Sequence, residues 1–131
     1  MDEIVTYLKQ CGAFYLATVE GDQPRVRPFG AVCTFEGKLY ICTNNQKRVY
    51  AQMLSNPKVE ISAMAQGGWL RLEAEAIPNH RREARVAMLK DNADSLSGMY
   101  TADDNLFEVL YLKNAVASLN TFGKEPRIIR F

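Results

Sequence analysis

A single histidine, His80, and three cysteines without any Cys-x-x-Cys pair leave little material for a protein-built metal centre or a hydrolytic dyad or triad. Charge of one sign is lacking too. Sixteen basic side chains face 15 acidic ones, a formal net of +1, which speaks against a dedicated DNA binder. No apolar run approaches the ~20 residues needed to cross a bilayer, and no repeat or low-complexity linker interrupts the chain. The opening Met1-Asp2-Glu3-Ile4 carries acids where a secretory leader would carry bases, so a cytoplasmic location is expected. What is present is a globular composition, 47% hydrophobic with six Tyr and six Phe, which intrinsic disorder does not tolerate. At 131 residues the expectation is a single domain over 1–131 with no metal site. Cys11, Cys33 and Cys42 read as small buried hydrophobes.

Periodicity sets the order of elements. Ile4, Val5 and Leu8 fall at helical spacing, with acids at the front and Lys9 at the back, and Gly12 ends the helix. Phe14-Tyr15-Leu16-Ala17-Thr18-Val19 is a β-rich run stopped by Glu20-Gly21-Asp22. Residues 24–35 read as a second strand with an irregular middle at Pro28 and Gly30. Glu36-Gly37 reads as a hairpin turn before a third strand over 38–43. Asn44-Asn45 are placed to cap a short helix carrying Val49 and Met53, which Asn56-Pro57 ends. Strands over 58–65 and 69–77 follow, joined by Gln66-Gly67-Gly68. In the second of these, Leu70, Leu72, Ala74 and Ala76 share one face, and Trp69, Arg71, Glu73 and Glu75 the other. Pro78-Asn79 opens a helix with Ala84, Ala87 and Met88 inward, and residues 91–104 read as short helical pieces and loop. A long β pattern over 106–122, interrupted near Lys113-Asn114, and a last strand over 127–131 complete the chain. The fold class is mainly β (α+β): a six- to seven-stranded antiparallel barrel, closed on itself to remove edges, with a few peripheral helices.

Near-neutrality hides two opposed patches. Residues 24–56 hold Arg25, Arg27, Lys38, Lys47 and Arg48 against Glu36 alone, whereas 91–108 hold five acids and no base. Within the basic patch, Thr43-Asn44-Asn45-Gln46-Lys47-Arg48 joins a strand end to a helix start. There a hydroxyl, amides, two cations and free backbone N–H groups can converge on one small anion, and a phosphate monoester suits that set better than a polymer backbone. A solvated basic first turn on an Asn-capped helix is the plainer reading. Arg25-Val26-Arg27-Pro28-Phe29-Gly30 adds a stretch where Pro28 and Gly30 leave backbone groups approachable by the edge of a flat heterocycle, or else a simple edge bulge. Trp69 reads as a stacking platform, or as a core or subunit-contact residue.

Together these residues resemble the pyridoxamine 5'-phosphate oxidase-like family, the split β-barrels that bind flavin mononucleotide (FMN). The resemblance covers nearly the whole chain and lies in the order and spacing of its motifs. These run from Phe14-Tyr15-Leu16-Ala17-Thr18-Val19 through Pro24-Arg25-Val26-Arg27-Pro28, Leu39-Tyr40-Ile41-Cys42-Thr43-Asn44 and Asn56-Pro57-Lys58-Val59-Glu60-Ile61 to Trp69-Leu70-Arg71-Leu72-Glu73-Ala74. It implies a homodimer with FMN at the subunit interface. Arg27 and the backbone of Pro28, Phe29, Gly30 and Ala31 would then lie along the flavin, and Thr43, Asn44, Gln46, Lys47 and Arg48 would hold its phosphate and ribityl chain. Trp69 stands where the oxidases often place a polar side chain from the partner. The resemblance further implies an FMN-dependent oxidoreductase acting on a small molecule, with NADH or NADPH as candidate donors; some related barrels use a deazaflavin or haem. No His stands in 127–131, where true pyridoxamine phosphate oxidases carry an Arg- and His-containing grip, so that activity is not expected. No catalytic residue is assigned, although Tyr111, Asn120 and Asp103-Asp104 are candidates for shaping the substrate side. The alternatives are a flavin carrier or sensor without turnover and, last, a flavin-free structural or nucleic-acid module. No membrane or nucleic-acid partner is expected.

Overall fold

The computed structural model describes residues 1–65 and 67–131, so the first residue of the expected Gln66-Gly67-Gly68 turn lies outside the described residues. Helix α1 (Asp2–Cys11) buries Ile4, Val5 and Leu8 and ends where Gly12, at φ 74°, donates its N–H to the Lys9 carbonyl. Strands β1 (Phe14–Glu20) and β2 (Gln23–Phe29) form a hairpin. The second strand expected over 24–35 is in fact two strands, because the chain turns away at Gly30 and Ala31 before β3 (Val32–Phe35). Glu36 and Gly37 both take positive φ, 49° and 75°, the sign a two-residue hairpin needs to match strand twist, and lead into β4 (Lys38–Asn44).

Helix α2 (Arg48–Ser55) starts later than the asparagines suggest, with Lys47 at its N-cap. The asparagines are otherwise engaged. Asn44 Oδ1 accepts from the Gln46 N–H in a turn of its own, and Asn45 Nδ2 reaches the Asn105 carbonyl. Strands β5 (Lys58–Ala65) and β6 (Gly68–Pro78) pair along their length, and Leu70, Leu72, Ala74 and Ala76 are all buried, as alternation requires. Helix α3 (Arg82–Asp91) opens a turn later than Pro78-Asn79 and buries Ala84 and Met88; α4 (Ala93–Leu96) follows. Strand β7 (Phe107–Thr121) is long, and β8 (Arg127–Arg130) pairs with it. The interruption expected at Lys113-Asn114 is a bulge: Asn114 and Ala115 oppose the single residue Ala74, and Asn114 takes φ 53°.

Among the described residues eight antiparallel strands, rather than six or seven, run in the order β2-β1-β5-β6-β7-β4-β3, with β8 on the far part of β7. The path stays open, because β2 and β3 pair only on one side each. Helices bridge that split in place of a hydrogen-bonded seam: α1 touches β5 and β3, and α2 touches β1, β6 and β4. Their apolar faces (Ile4, Leu8, Val49, Met53) join Leu16, Ile41, Ile61, Leu70 and Leu72 in the barrel interior. A smaller core, with Met88, Leu96, Phe107 and Val109, lies between α3–α4 and the outer face of β3, β4 and β7. Among the described residues no helix is long and apolar enough to cross a membrane.

Candidate functional site

The turn that separates β2 from β3 opens a cleft of about 280 Å³ at the split. Residues 27–31 form one wall, and Cys42 and Thr43 at the end of β4 form the floor. Lys47 and Val49 come from the start of α2, while Ser95, Leu96, Met99 and Tyr100 build the opposite wall. No lining residue is acidic. Two cations therefore face a small hollow in which nothing balances them, and among the described residues neither Arg27 nor Lys47 joins an ion pair. Such a hollow suits a negatively charged group, and it lies beside the N-terminus of α2, the end of a helix that favours anions.

Arg27 is anchored from behind. Its Nη1 donates to the Thr18 hydroxyl at 2.8 Å and to the Leu16 carbonyl at 3.2 Å, and its Nη2 donates to Gln52 Oε1 at 2.6 Å. Burial pulls its pKa down, with Arg25 adding to the effect and Glu20 opposing it, yet a guanidinium keeps its charge in proteins. Arg25, two residues away, is instead spent on Glu20 at the surface. Tyr100 rests on Phe107, ring centroids 5.0 Å apart, and its hydroxyl oxygen accepts from Asn44 Nδ2 at 3.1 Å.

The structure thus brings Arg27, Pro28, Phe29, Gly30, Thr43 and Lys47 of the sequence-derived set to one cleft. Asn44 stands just behind it through Tyr100, and Gln46 serves the turn. Arg48 is exposed, and its charge is felt by Glu20. Trp69 sits elsewhere, on the outer sheet face, tilted against Phe122 with centroids 5.2 Å apart. That face also exposes Tyr15, Met64 and Ile128. Tyr111 lies under Lys38, Asp103 pairs with Arg82, and Asn120 bonds the Trp69 carbonyl, so none of the three lines the cleft. Sequence reasoning missed the wall from 95–100, which has no periodicity to find it by; an isolated Met-Tyr pair in a polar stretch was its one signal.

Side-chain chemistry in the cleft is muted. Burial pushes the Cys42 thiol up to about 12, and does the same to its neighbour Cys33, so neither offers a thiolate at neutral pH. His80 is exposed, 3.8 Å from Glu108 and outside the cleft. Among the described residues no group of three His, Cys, Asp or Glu side chains is placed to hold a metal. A wider hollow of about 400 Å³ lies on the outer face of β1, β5, β6 and β7, but Glu60, Glu73 and Glu75 line it and would repel an anion.

An antiparallel barrel left open between β2 and β3 places the chain in the class of split-barrel proteins. The chain belongs to the pyridoxamine 5'-phosphate oxidase family, whose sequence pattern matches residues 1–117. It is similar over its full length to a NimC/NimA family protein from Clostridium acetobutylicum, at 47% identity and a TM-score of 0.96, covering 92% of that chain. The same fold recurs in general stress protein 26 from Bacillus anthracis, at 17% identity and a TM-score of 0.77, covering 99% of this chain and 97% of that one. It recurs again in an FAD-binding protein from Mesorhizobium loti, at 15% identity and a TM-score of 0.63, covering 91% and 94%. No curated protein matches the chain.

Proposed function

We propose that the protein is an FMN-binding oxidoreductase acting on a small molecule, working as a homodimer with FMN at the subunit interface. The observation that carries this reading is the cleft at the split, with no acid among its lining residues and with Arg27 and Lys47 in no ion pair among the described residues. Those residues fit a phosphorylated flavin: two cations and the Thr43 hydroxyl for the phosphate, and the exposed backbone around Pro28 and Gly30 for a ring edge. Its volume of about 280 Å³ falls just below the roughly 300–1,000 Å³ of enclosed ligand sites, so a flavin would be only partly covered by one chain. A second copy presenting the exposed Tyr15, Met64 and Phe122, with half-buried Trp69 among them, would supply the missing cover and bury an apolar patch that is costly to leave in water.

When bound, FMN supplies the hydride and electron chemistry, and the protein's part is binding, orientation and exclusion of water. That division agrees with a cleft lacking an acid, a histidine or an ionised thiol. The same muteness favours, as second reading, a flavin carrier without turnover. True pyridoxamine phosphate oxidation is not proposed, since β8 is spent on pairing with β7 and Arg127 on Glu3. The test is a visible spectrum of purified protein, identification of any released chromophore, and light scattering. Flavin bands, released FMN and a dimer mass support the proposal; a monomer that binds no added FMN ends it. Reduction of bound FMN by NADH or NADPH then separates oxidoreductase from carrier.

A further inference from the structure

Arg27 and Glu20 lie close enough for their charges to be coupled, yet they are not paired. Between them stands the side-chain amide of Gln52, on α2 and 5% exposed. Its Oε1 accepts from Arg27 Nη2 at 2.6 Å and from the Thr18 hydroxyl, while its Nε2 donates to Glu20 Oε2 at 3.2 Å. The other Glu20 oxygen is taken by Arg25. This network fixes which way the amide points. Reversed, it would set N–H groups against the guanidinium and an oxygen against the carboxylate. Thr18, 2% exposed, closes a ring by accepting from Arg27 Nη1 and donating to Gln52. Every acceptor on Arg27 is therefore neutral, and among the described residues its Nε has no partner.

We propose that Gln52 is a positioning residue of the anion site: it holds Arg27 through a neutral oxygen and Glu20 through a neutral N–H, and so keeps the Arg27 charge uncompensated for the phosphate of a ligand in the cleft. The inference rests on reading that cleft as a phosphate-binding flavin site. An amide is suited to the task because it satisfies a cation on one side and an anion on the other while adding no charge. With an apolar side chain in its place, the freed Glu20 carboxylate takes Arg27 directly, since a partly buried guanidinium gains from a charged acceptor over a neutral one. The cleft then loses half of its cationic pair without losing a single lining residue.

The test compares FMN with riboflavin, which lacks the phosphate, in the wild type, Gln52→Met and the double variant Gln52→Met/Glu20→Gln. Gln52→Met should lower FMN affinity by about tenfold or more and leave riboflavin affinity within about twofold, the loss expected when one charge-assisted contact is withdrawn. Adding Glu20→Gln should restore most of the FMN affinity, because no carboxylate remains to capture Arg27. Equal losses for both ligands, or no rescue, would reduce Gln52 to a structural role and overturn the proposal. Gln52→Glu provides a second variant, expected to lose FMN selectivity without rescue by Glu20→Gln. A flavin-free readout is the Glu20 carboxyl titration by NMR in unliganded protein. Capture by Arg27 in Gln52→Met should move it below the wild-type value, and an unchanged or raised value refutes the insulation. Failure of the wild type to bind FMN would end the flavin reading, while the Glu20 titration would still decide this one.

Discussion

Lys47 and Arg48 are neighbours in sequence and equal in formal charge, but the fold gives them different work, and alanine replacement should separate them. Lys47 lines the cleft at the N-cap of α2, whereas Arg48 lies outside it with its charge directed to Glu20. A charge-assisted contact contributes about 1.5–3 kcal/mol, and because Lys47 is exposed its share belongs at the lower end. Lys47→Ala should therefore weaken FMN binding by about 1.5 kcal/mol, roughly tenfold in Kd, with the loss shrinking as salt rises. Arg48→Ala should cost less than about 0.5 kcal/mol, near twofold, because only long-range attraction is removed. Stability is not at stake in the first change. Lys47 makes no side-chain cap bond, so its loss should leave the denaturation midpoint unchanged within about 0.5 kcal/mol. Flavin fluorescence titration at low and moderate salt, beside urea unfolding of the same samples, reads all of this. An Arg48 effect equal to or larger than that of Lys47 would refute the placement of the anion beside the cleft's own cations.

Gly68 faces the backbone of β7 so closely that an added Cβ would overlap the Asn120 carbonyl oxygen, and Gly68→Ala should destabilise by about 1–3 kcal/mol, seen as a lower urea midpoint. Thiols pushed to about 12 hold only about one thiolate in ten thousand at pH 8, so a disulfide reagent should leave Cys33 and Cys42 unmodified in native protein and label them after unfolding. Glu3, Glu36 and Asp103 are held below their ordinary values by hydrogen bonds from Arg127, Arg81 and Arg82, and Glu20 by one from Gln52. Such depressed carboxyls contribute stability that is fully present above the unfolded values near pH 4 and is lost as pH falls through the folded ones. The midpoint of unfolding should accordingly stay flat with respect to these groups from about pH 7 to 5 and drop below about pH 4.5, with Glu36→Gln flattening that drop.

Local pattern carried the sequence reading where one residue's neighbours decide its fate. The alternation of β6 and the Glu36-Gly37 hairpin are of that kind, since a pleat or a two-residue turn needs no information from elsewhere. Arg25 and Arg27 mark the limit. Alternation puts them on one face of β2, yet one pairs with Glu20 at the surface and the other turns toward Gln52, 25 positions along the chain. No spacing rule encodes that choice. The break between β2 and β3 was legible as irregularity around Pro28 and Gly30, but not as two strands at opposite ends of one sheet, because strand order is settled by long-range pairing. The cleft was half legible for the same reason: its residues from 27–31 and 42–47 form two short runs that local pattern marks, while the wall from 95–100 arrives from a distant, aperiodic segment.

Strand β7 lies between β6 and β4, and it also carries β8. The strands earlier in the chain form two ribbons, β2-β1-β5-β6 and β3-β4, with no strand pairing between them until residues 107–121 are in place. On the ribosome, the inner edges of both ribbons emerge well before the strand that joins them. Until then those edges are open templates for pairing with another chain. The protein's exposure to misassembly is thus concentrated in the interval between synthesis of β6 and release of β7, and a nascent chain stalled before Phe107 would present the edges of β6 and β4 in addition to those of β2 and β3.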